Sequence, residues 1–163
     1  MIDLAHRVGY RVAYRLLQAW WFCRRPAGYG AAVAVWSGDR LLVVRTSYRR
    51  HLDLPGGGIE RLETPLMAAV RELREETGLL APPEELSDAG SFRFEVNHRR
   101  ITTQIFRWRP VDPPIPSADH REIVWARYLS RDQLAQAELS PALELYLAAG
   151  DQVPSGTRQM SRA

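Results

Sequence analysis

The chain has 163 residues, with 22 positive side chains, every one of them arginine, against 19 negative ones, for a formal net charge of +3. That length builds one globular domain with its own core and leaves no room for two ordinary domains and a linker. With 45% apolar and 25% charged residues, the composition is that of a folded protein and excludes disordered, collagen-like and low-complexity classes.

Residues 2 to 23 place Ala5, Val8, Val12, Leu16, Ala19 and Cys23 on one side of a helical wheel, with Arg7, Arg11, Arg15 and Gln18 opposite. This spacing predicts an amphipathic helix of about 33 Å that stops at Arg24-Arg25-Pro26, so residues 1–26 read as an N-terminal addition. Its apolar stretch, Leu16 to Cys23, is too short to span a bilayer, and scattered arginines do not suit a secretory signal. The basic stripe beside Trp20, Trp21 and Phe22 fits an interfacial membrane helix, although packing on its own domain or on a homodimer partner is the expectation we prefer. Cys23 is the only cysteine, so no internal disulfide forms; a reducing, cytoplasmic compartment fits best. The first 26 residues hold five arginines against one acid, whereas residues 27–150 hold fifteen against seventeen. Without a basic patch in the main body, sequence-specific nucleic-acid binding lacks its electrostatic support.

From Ala31 the period changes. Ala31 to Trp36 and Arg40 to Arg45 read as two strands around a Ser37-Gly38-Asp39 turn. A glycine-rich segment, Leu54 to Gly58, leads to Thr64-Pro65, a cap and a first-turn proline that open a helix running to Thr77 and stopping at Gly78. Phe92, Phe94 and Val96 alternate with polar residues as a half-buried strand, Asn97 to Arg100 turns the chain, and Ile101 to Arg109 returns it. Pro110 to Pro116 is a loop, Ile123 to Leu129 a strand, Ser130 to Gln133 a capping box, and Ser140-Pro141 opens a last helix ending near Gly150. The polar tail, 151–163, has no periodicity and is expected to be disordered. Hairpin strands mixed with three or four helices make the chain α+β or mixed α/β.

The chemistry concentrates on the helix after the glycine-rich segment. Glu72, Glu75 and Glu76 share one face, opposite an apolar stripe of Leu66, Ala69, Val70 and Leu73. Three carboxylates near a helix C-terminus repel one another and oppose the helix dipole, which is costly unless a cation binds. Oxygen ligands alone suit a hard ion such as Mg2+ or Mn2+. Neutralisation by Arg71 and Arg74 on a solvated helix is the ordinary alternative for a lone Glu-x-x-Glu-Glu.

The spacing around the cluster decides between them. From Gly57, five residues lead to Glu63 and seven more to Arg71-Glu72, then Leu73, any residue, Glu75-Glu76, any residue, Gly78 and Leu79. This series resembles the signature of the Nudix hydrolase family at every specified position, a coincidence expected by chance on the order of once in ten million such chains. The resemblance implies a mixed sheet sandwiched between helices over 27–150, with the signature as a loop, helix and loop at the active site. It also implies cleavage of the diphosphate bond in a nucleoside diphosphate linked to another group. Carried over by position, Glu72 and Glu76 look like the principal metal ligands, Glu75 a third ligand or water partner, and the carbonyl of Gly56 a backbone ligand. Arg71 resembles the arginine that orients the carboxylates and Glu63 its acidic companion, while Gly57, Gly58 and Gly78 support the loop. Family members differ in their general base; the candidates are a helix glutamate or Glu122, which follows the proline-rich loop. Leu62 stands where many members carry glycine, and leucine there predicts a turn that avoids positive φ.

A nucleotide-binding regulatory module without turnover and a membrane-surface adaptor are the competing functions. The costly acid cluster argues against both. His51, His98 and His120 read as exposed, Trp108 and Trp125 as core, and Tyr29, Tyr48 and Phe94 as aromatic faces able to stack on a base. The substrate stays open. The proline or tyrosine that marks some subfamilies 15 to 18 residues beyond the signature is absent, that window holding Phe94, Glu95, Val96 and Asn97.

Overall fold

The computed structural model describes residues 28–96, 99–118 and 122–150, together with the backbone of a short strand at Thr157–Gln159. The helix expected over 2–23, with Cys23, and the histidines His98 and His120 lie outside the described residues. Among the described residues, no helix is long and apolar enough to cross a membrane.

The architecture follows from strand β1 (Gly28–Ser37), whose residues Ala31 to Trp36 are all buried. Ala31, Val33 and Val35 face one core, and Ala32, Ala34 and Trp36 face the other. A strand apolar on both faces belongs inside a sheet covered on both sides. β1 indeed pairs antiparallel with β2 (Arg40–Thr46) and β3 (Gly56–Gly58), and parallel with β5 (Arg99–Trp108). β4 (Ser87–Val96) joins β5 and β6 (Ile123–Leu129) joins β2, both antiparallel, so the mixed sheet runs β6-β2-β1-β5-β4.

Helices cover both faces, as the α/β reading requires. α1 (Pro65–Thr77) buries Ala68, Ala69 and Leu73 against Val33 and Val35. α2 (Arg131–Ala135) and α3 (Pro141–Ala149) bury Leu134, Leu143, Leu145 and Tyr146 on the other face, with Phe92 and Ile105. The inward stripe of α1 is turned slightly from the one expected. Leu66 and Val70 are only half-buried, and Ala68 and Thr77 are buried in their place. Thr77 tolerates this because its hydroxyl donates to the Leu73 carbonyl at 2.6 Å.

The caps sit where their residue types suggest. Thr64 accepts from the Met67 N–H, Ser130 forms a full capping box with Gln133, and Gly78 ends α1 at φ 69°. Ser140 does more than cap α3. Its Oγ accepts from the Leu143 N–H and donates to Asp53 Oδ1 at 2.6 Å, and the same Asp53 oxygen accepts the Leu54 N–H at 2.9 Å. Asp53 also exchanges both backbone bonds with Val44. The segment entering the glycine-rich loop is thereby tied to β2 on one side and to α3 on the other.

Two expectations are corrected. Thr157–Gln159, in the tail expected to be disordered, forms β7 and pairs parallel with β4 at Ser91 to Arg93. An edge strand offers unpaired N–H and C=O groups that periodicity in the tail does not report. Leu62 does not avoid positive φ. It lies at φ 69° in a turn closed by the Glu63 N–H on the Glu60 carbonyl at 3.2 Å, with its side chain 94% exposed. The third position of such a turn favours glycine, and the turn is imposed from outside by the Glu63 contacts described below. Leu62→Gly should therefore stabilise the fold by about 0.5–1 kcal/mol, the relief of a left-handed leucine less the extra freedom of unfolded glycine. Thermal unfolding should shift upward by about 2 °C, and an unchanged or lower midpoint would contradict the strain.

Candidate active site

The glycine-rich loop lies against both the sheet and the acid-bearing helix. A Cβ on Gly56 would overlap the backbone of Ala31 and Ala32, and one on Gly57 would overlap the Glu72 carboxylate. Close approach of backbone thus requires glycine at Gly56, while at Gly57 a side chain would displace the Glu72 carboxylate. Gly58 is different: a Cβ there would meet nothing, and its contribution is its carbonyl, which accepts from Arg71 at 3.1 Å.

Arg71 organises the cluster. Its Nε and Nη2 donate to the two oxygens of Glu63 at 2.9 and 3.0 Å, a bidentate pair. Nη1 donates to Glu72 Oε1 at 2.8 Å and to Glu75 Oε2 at 3.3 Å, and Nη2 also reaches the Gly58 carbonyl. These five bonds equal the number of N–H donors a guanidinium carries. Glu63 further accepts the Glu60 N–H at 3.0 Å, so the signature's loop and helix are held as one unit. The Arg71 hydrogen bond, with the backbone bond, holds the Glu63 carboxyl below its ordinary range, and the bonds to Glu63 and Glu72 in turn raise Arg71.

The other glutamates experience the opposite balance. Glu76 accepts the Gly56 N–H at 2.9 Å, but burial first, and then the negative Glu72, Glu122 and Asp53, push its carboxyl from 4.5 up to about 9. Glu72 is raised chiefly by burial, against the pull of Arg71. Glu75 is the outermost, with 59% of its side chain exposed. Glu72, Glu75 and Glu76 line a cavity of ≈ 430 Å3 with the Gly56–Gly58 backbone, and Glu122 lines it from across the sheet. The structure therefore brings all four glutamates around one space. At the edge of this space the Gly56 N–H is engaged by Glu76.

Glu122 reaches this space through strand register. Thr46 of β2 pairs with Ile123 of β6, and the Ser47 N–H extends the ladder by donating to the Glu122 carbonyl at 2.8 Å. A register shift at Arg45/Thr46 sits beside it, a bulge of the kind that re-aims side chains near sites. Tyr48 then donates its hydroxyl to Glu122 Oε1 at 2.5 Å, and burial followed by this bond raises the Tyr48 phenol.

The donor set is all oxygen and negative, the chemistry that fits a hard divalent cation. Glu76, driven neutral by burial among negative neighbours, is the group that such a charge would let ionise. Among the described residues, no three Asp, Glu, His or Cys groups already stand close enough to hold an ion, because Arg71 and the Gly56 N–H engage the carboxylates instead. Loading would require the glutamate side chains to move.

A second cavity of ≈ 510 Å3 shares Tyr48, Arg49, Asp53 and the glycine loop with the first. Tyr29, Phe94, Val96 and Ile101 give it apolar walls, and Arg49 and Arg99 also line it. His51, expected to be exposed, is half-buried in this wall, and burial lowers its pKa. Trp108 is core, and Trp125 is half-buried between Arg45 and Arg127, each guanidinium 5.5 Å from its ring. Reading the sequence alone missed Arg49, Asp53, Ser140 and the Tyr48 bond to Glu122. Asp53, Ser140 and the Tyr48 bond depend on pairing between segments distant in the chain, with only the cap spacing of Ser140 carrying a local signal, whereas Arg49 is marked by its place on the cavity wall.

A family model described as NUDIX domain matches residues 26–149. The chain is 35% identical over 80 residues to a MutT-like protein of Streptomyces ambofaciens, covering 49% of each chain. It is 41% identical over 51 residues to a probable DHNTP pyrophosphohydrolase of Lactococcus lactis subsp. cremoris, covering 31% of each. It thus spans half or less of these curated relatives. Among solved structures, a MutT NUDIX hydrolase from Burkholderia pseudomallei superposes with a TM-score of 0.67 at 19% identity, covering 76% of this chain and 96% of that one. A bifunctional NMN adenylyltransferase/ADP ribose pyrophosphatase from Francisella tularensis, complexed with AMP and a Mn ion, superposes with a TM-score of 0.68 at 18% identity, covering 86% and 46%. At these identities the structural likeness speaks to the fold alone.

The raised Glu76 pKa has a thermodynamic consequence. Its folded value, about 9, exceeds the 4.5 of the unfolded chain, so the folded state holds the extra proton between them. The stability linked to it is complete below about pH 4.5 and is lost as the pH rises toward 9. Glu76→Gln cannot ionise, yet it keeps an acceptor for the Gly56 N–H. In EDTA, the wild-type melting temperature should fall relative to that of Glu76→Gln as pH rises from about 5 to about 9. Parallel profiles would show that Glu76 does not titrate as its surroundings imply.

Proposed function

The chain belongs to the Nudix family, and from that premise we propose that it is a metal-dependent hydrolase cleaving the diphosphate bond of a nucleoside diphosphate linked to another group. The observation that carries this reading is the convergence of Glu72, Glu75, Glu76 and Glu122 on one cavity, beside a glycine-rich loop. A site for binding alone has no use for so costly a concentration of carboxylates.

Glu72 and Glu76, with Glu75 as a third donor, would hold Mg2+ or Mn2+. Bound there, the ion supplies positive charge that offsets the phosphate oxygens and the departing phosphate and acidifies the attacking water. The remaining work falls to the chain. Arg71 and Glu63 are positioning residues, with their bonds directed at each other and at the carboxylates. Glu122 takes a proton from the water as its oxygen bonds to phosphorus and the bridging P–O bond breaks, the electron pair leaving with the second phosphate. Glu75 is the alternative base on the helix. Arg49, on the wall shared by the two cavities, is placed to meet a phosphate oxygen, and the apolar second cavity is suited to an aromatic base. The pyrophosphohydrolase named among the relatives supports diphosphate cleavage, and the Mn ion in a fold neighbour supports a divalent cofactor. With a single cysteine, the enzyme suits the reducing cytoplasm.

Phosphate and nucleotide release should be measured over a panel comprising a nucleoside triphosphate, a nucleotide sugar, ADP-ribose and a dinucleoside polyphosphate, each with Mg2+ or Mn2+ and again with EDTA. Wild type should turn over at least one compound only with metal, and Glu76→Gln should lose at least about 100-fold in kcat/KM. Equal inactivity of both proteins across the panel, or turnover unaffected by EDTA, would overturn the assignment.

A further inference from the structure

Glu122 precedes β6 on a surface segment, and a glutamate there has several rotamers available, of which only some aim its carboxylate into the cavity. A hydrogen bond from Tyr48 favours one of these. The β2 and β6 ladder brings Tyr48 and Glu122 out of the sheet side by side, although 74 residues separate them. The Tyr48 hydroxyl donates to Glu122 Oε1, and both residues line the cavity that holds Glu72, Glu75 and Glu76. The tyrosine is itself braced. The Arg49 guanidinium lies 5.4 Å from its ring centroid and 3.8 Å from Asp53 Oδ2, and Asp53 is tied to Ser140 at the start of α3. A phenol is protonated, and therefore a donor, throughout the neutral range, and burial raises it further. A carboxylate offers about four acceptor sites, so one tyrosine bond orients it without exhausting its capacity for a water.

We infer that Tyr48 is a positioning residue for hydrolysis, its hydroxyl holding the Glu122 carboxylate in the cavity in the orientation from which it takes the proton of the attacking water. The inference rests on the reading of Glu122 as the base in the proposed reaction. The bond it adds acts on kcat and leaves substrate affinity alone, because the hydroxyl is directed at Glu122. That separates it from an aromatic stacking role, which the ring of phenylalanine would preserve.

The test uses the full chain with Tyr48→Phe, Glu122→Gln and the double variant, assayed with Mg2+ on the panel compound turned over fastest. Tyr48→Phe should lower kcat about 10- to 100-fold, the kinetic equivalent of one hydrogen bond to a charged group, with KM changed less than about twofold. The double variant should be no slower than Glu122→Gln. A wild-type kcat for Tyr48→Phe, a change confined to KM, or additive losses would overturn the role of Tyr48 while leaving Glu122 as base. A wild-type kcat for Glu122→Gln would instead remove Glu122 from the reaction, and the inference with it. Independently of turnover, NMR of protein carrying 13Cζ-tyrosine, with the Tyr48 signal assigned by its loss in Tyr48→Phe, should show that signal displaced by Glu122→Gln. An undisplaced signal would mean the bond is not formed, and the inference falls.

Discussion

The guanidinium of Arg71 directs all five of its N–H donors into the protein, at Glu63, Glu72, Glu75 and the Gly58 carbonyl. The rest of the site depends on this one group. It joins the glycine-rich loop to the acid face of α1 and supplies the positive charge that lets carboxylates crowd there at all. Lysine could not take its place. An ammonium has three donors at a point, whereas the bidentate grip on Glu63 and the branch to Glu72 and Glu75 need a planar fork. The same grip accounts for Leu62. With Glu63 held by Arg71 and by the Glu60 N–H, the turn between residues 60 and 63 closes tightly enough to carry its third residue to φ 69°. Local strain of this sort is sustained by contacts elsewhere.

The reach of Arg71 ends at Glu76. That carboxylate turns to the Gly56 N–H, deeper against the sheet, and is left among negative groups with only a backbone partner. A helix face carrying two carboxylates that Arg71 compensates in part and one uncompensated group is asymmetric in a useful way. The compensated part stays ordered without any ion, and the uncompensated part provides the gain on binding one. Sheet order then puts Glu122 on the far wall, because β2 lies between β1, which carries the glycine loop, and β6, which Glu122 precedes.

What was legible in the sequence divides along the range of the interactions. Caps, turns and strand patterns are local. Thr64, Gly78, Ser130 and Ser140 could be placed because each satisfies backbone groups within a few residues of itself. The motif was legible because its spacing encodes a helix face plus a loop. Contacts across the sheet were not. Tyr48 read as an aromatic able to stack, and nothing near it in the chain points to a carboxylate 74 positions away. Asp53 went unread for the same reason, although its bond to Ser140 anchors the loop. The strand at Thr157–Gln159 shows a different limit: three residues pairing on an edge need no periodicity, only an available partner strand. Gly58 shows a third. Its type fitted the loop, yet the structure uses its carbonyl and leaves open space where a side chain would stand.

Saturation of Arg71 also constrains how phosphate is met. The chain has no lysine, and the arginine nearest the carboxylates has its donors engaged. In the proposed reaction, positive charge for the diphosphate would therefore come from an ion on the glutamate side and from another arginine. Arg49 lines both cavities, beside the Tyr48 ring and 3.8 Å from Asp53 Oδ2. In the proposed reaction Arg49 is the arginine on the cavity wall that would meet a phosphate oxygen, whereas pulling Arg71 from its carboxylates would dismantle the site. The two arginines would thus divide the work by place, Arg71 ordering the carboxylates and Arg49 standing on the wall that the two cavities share.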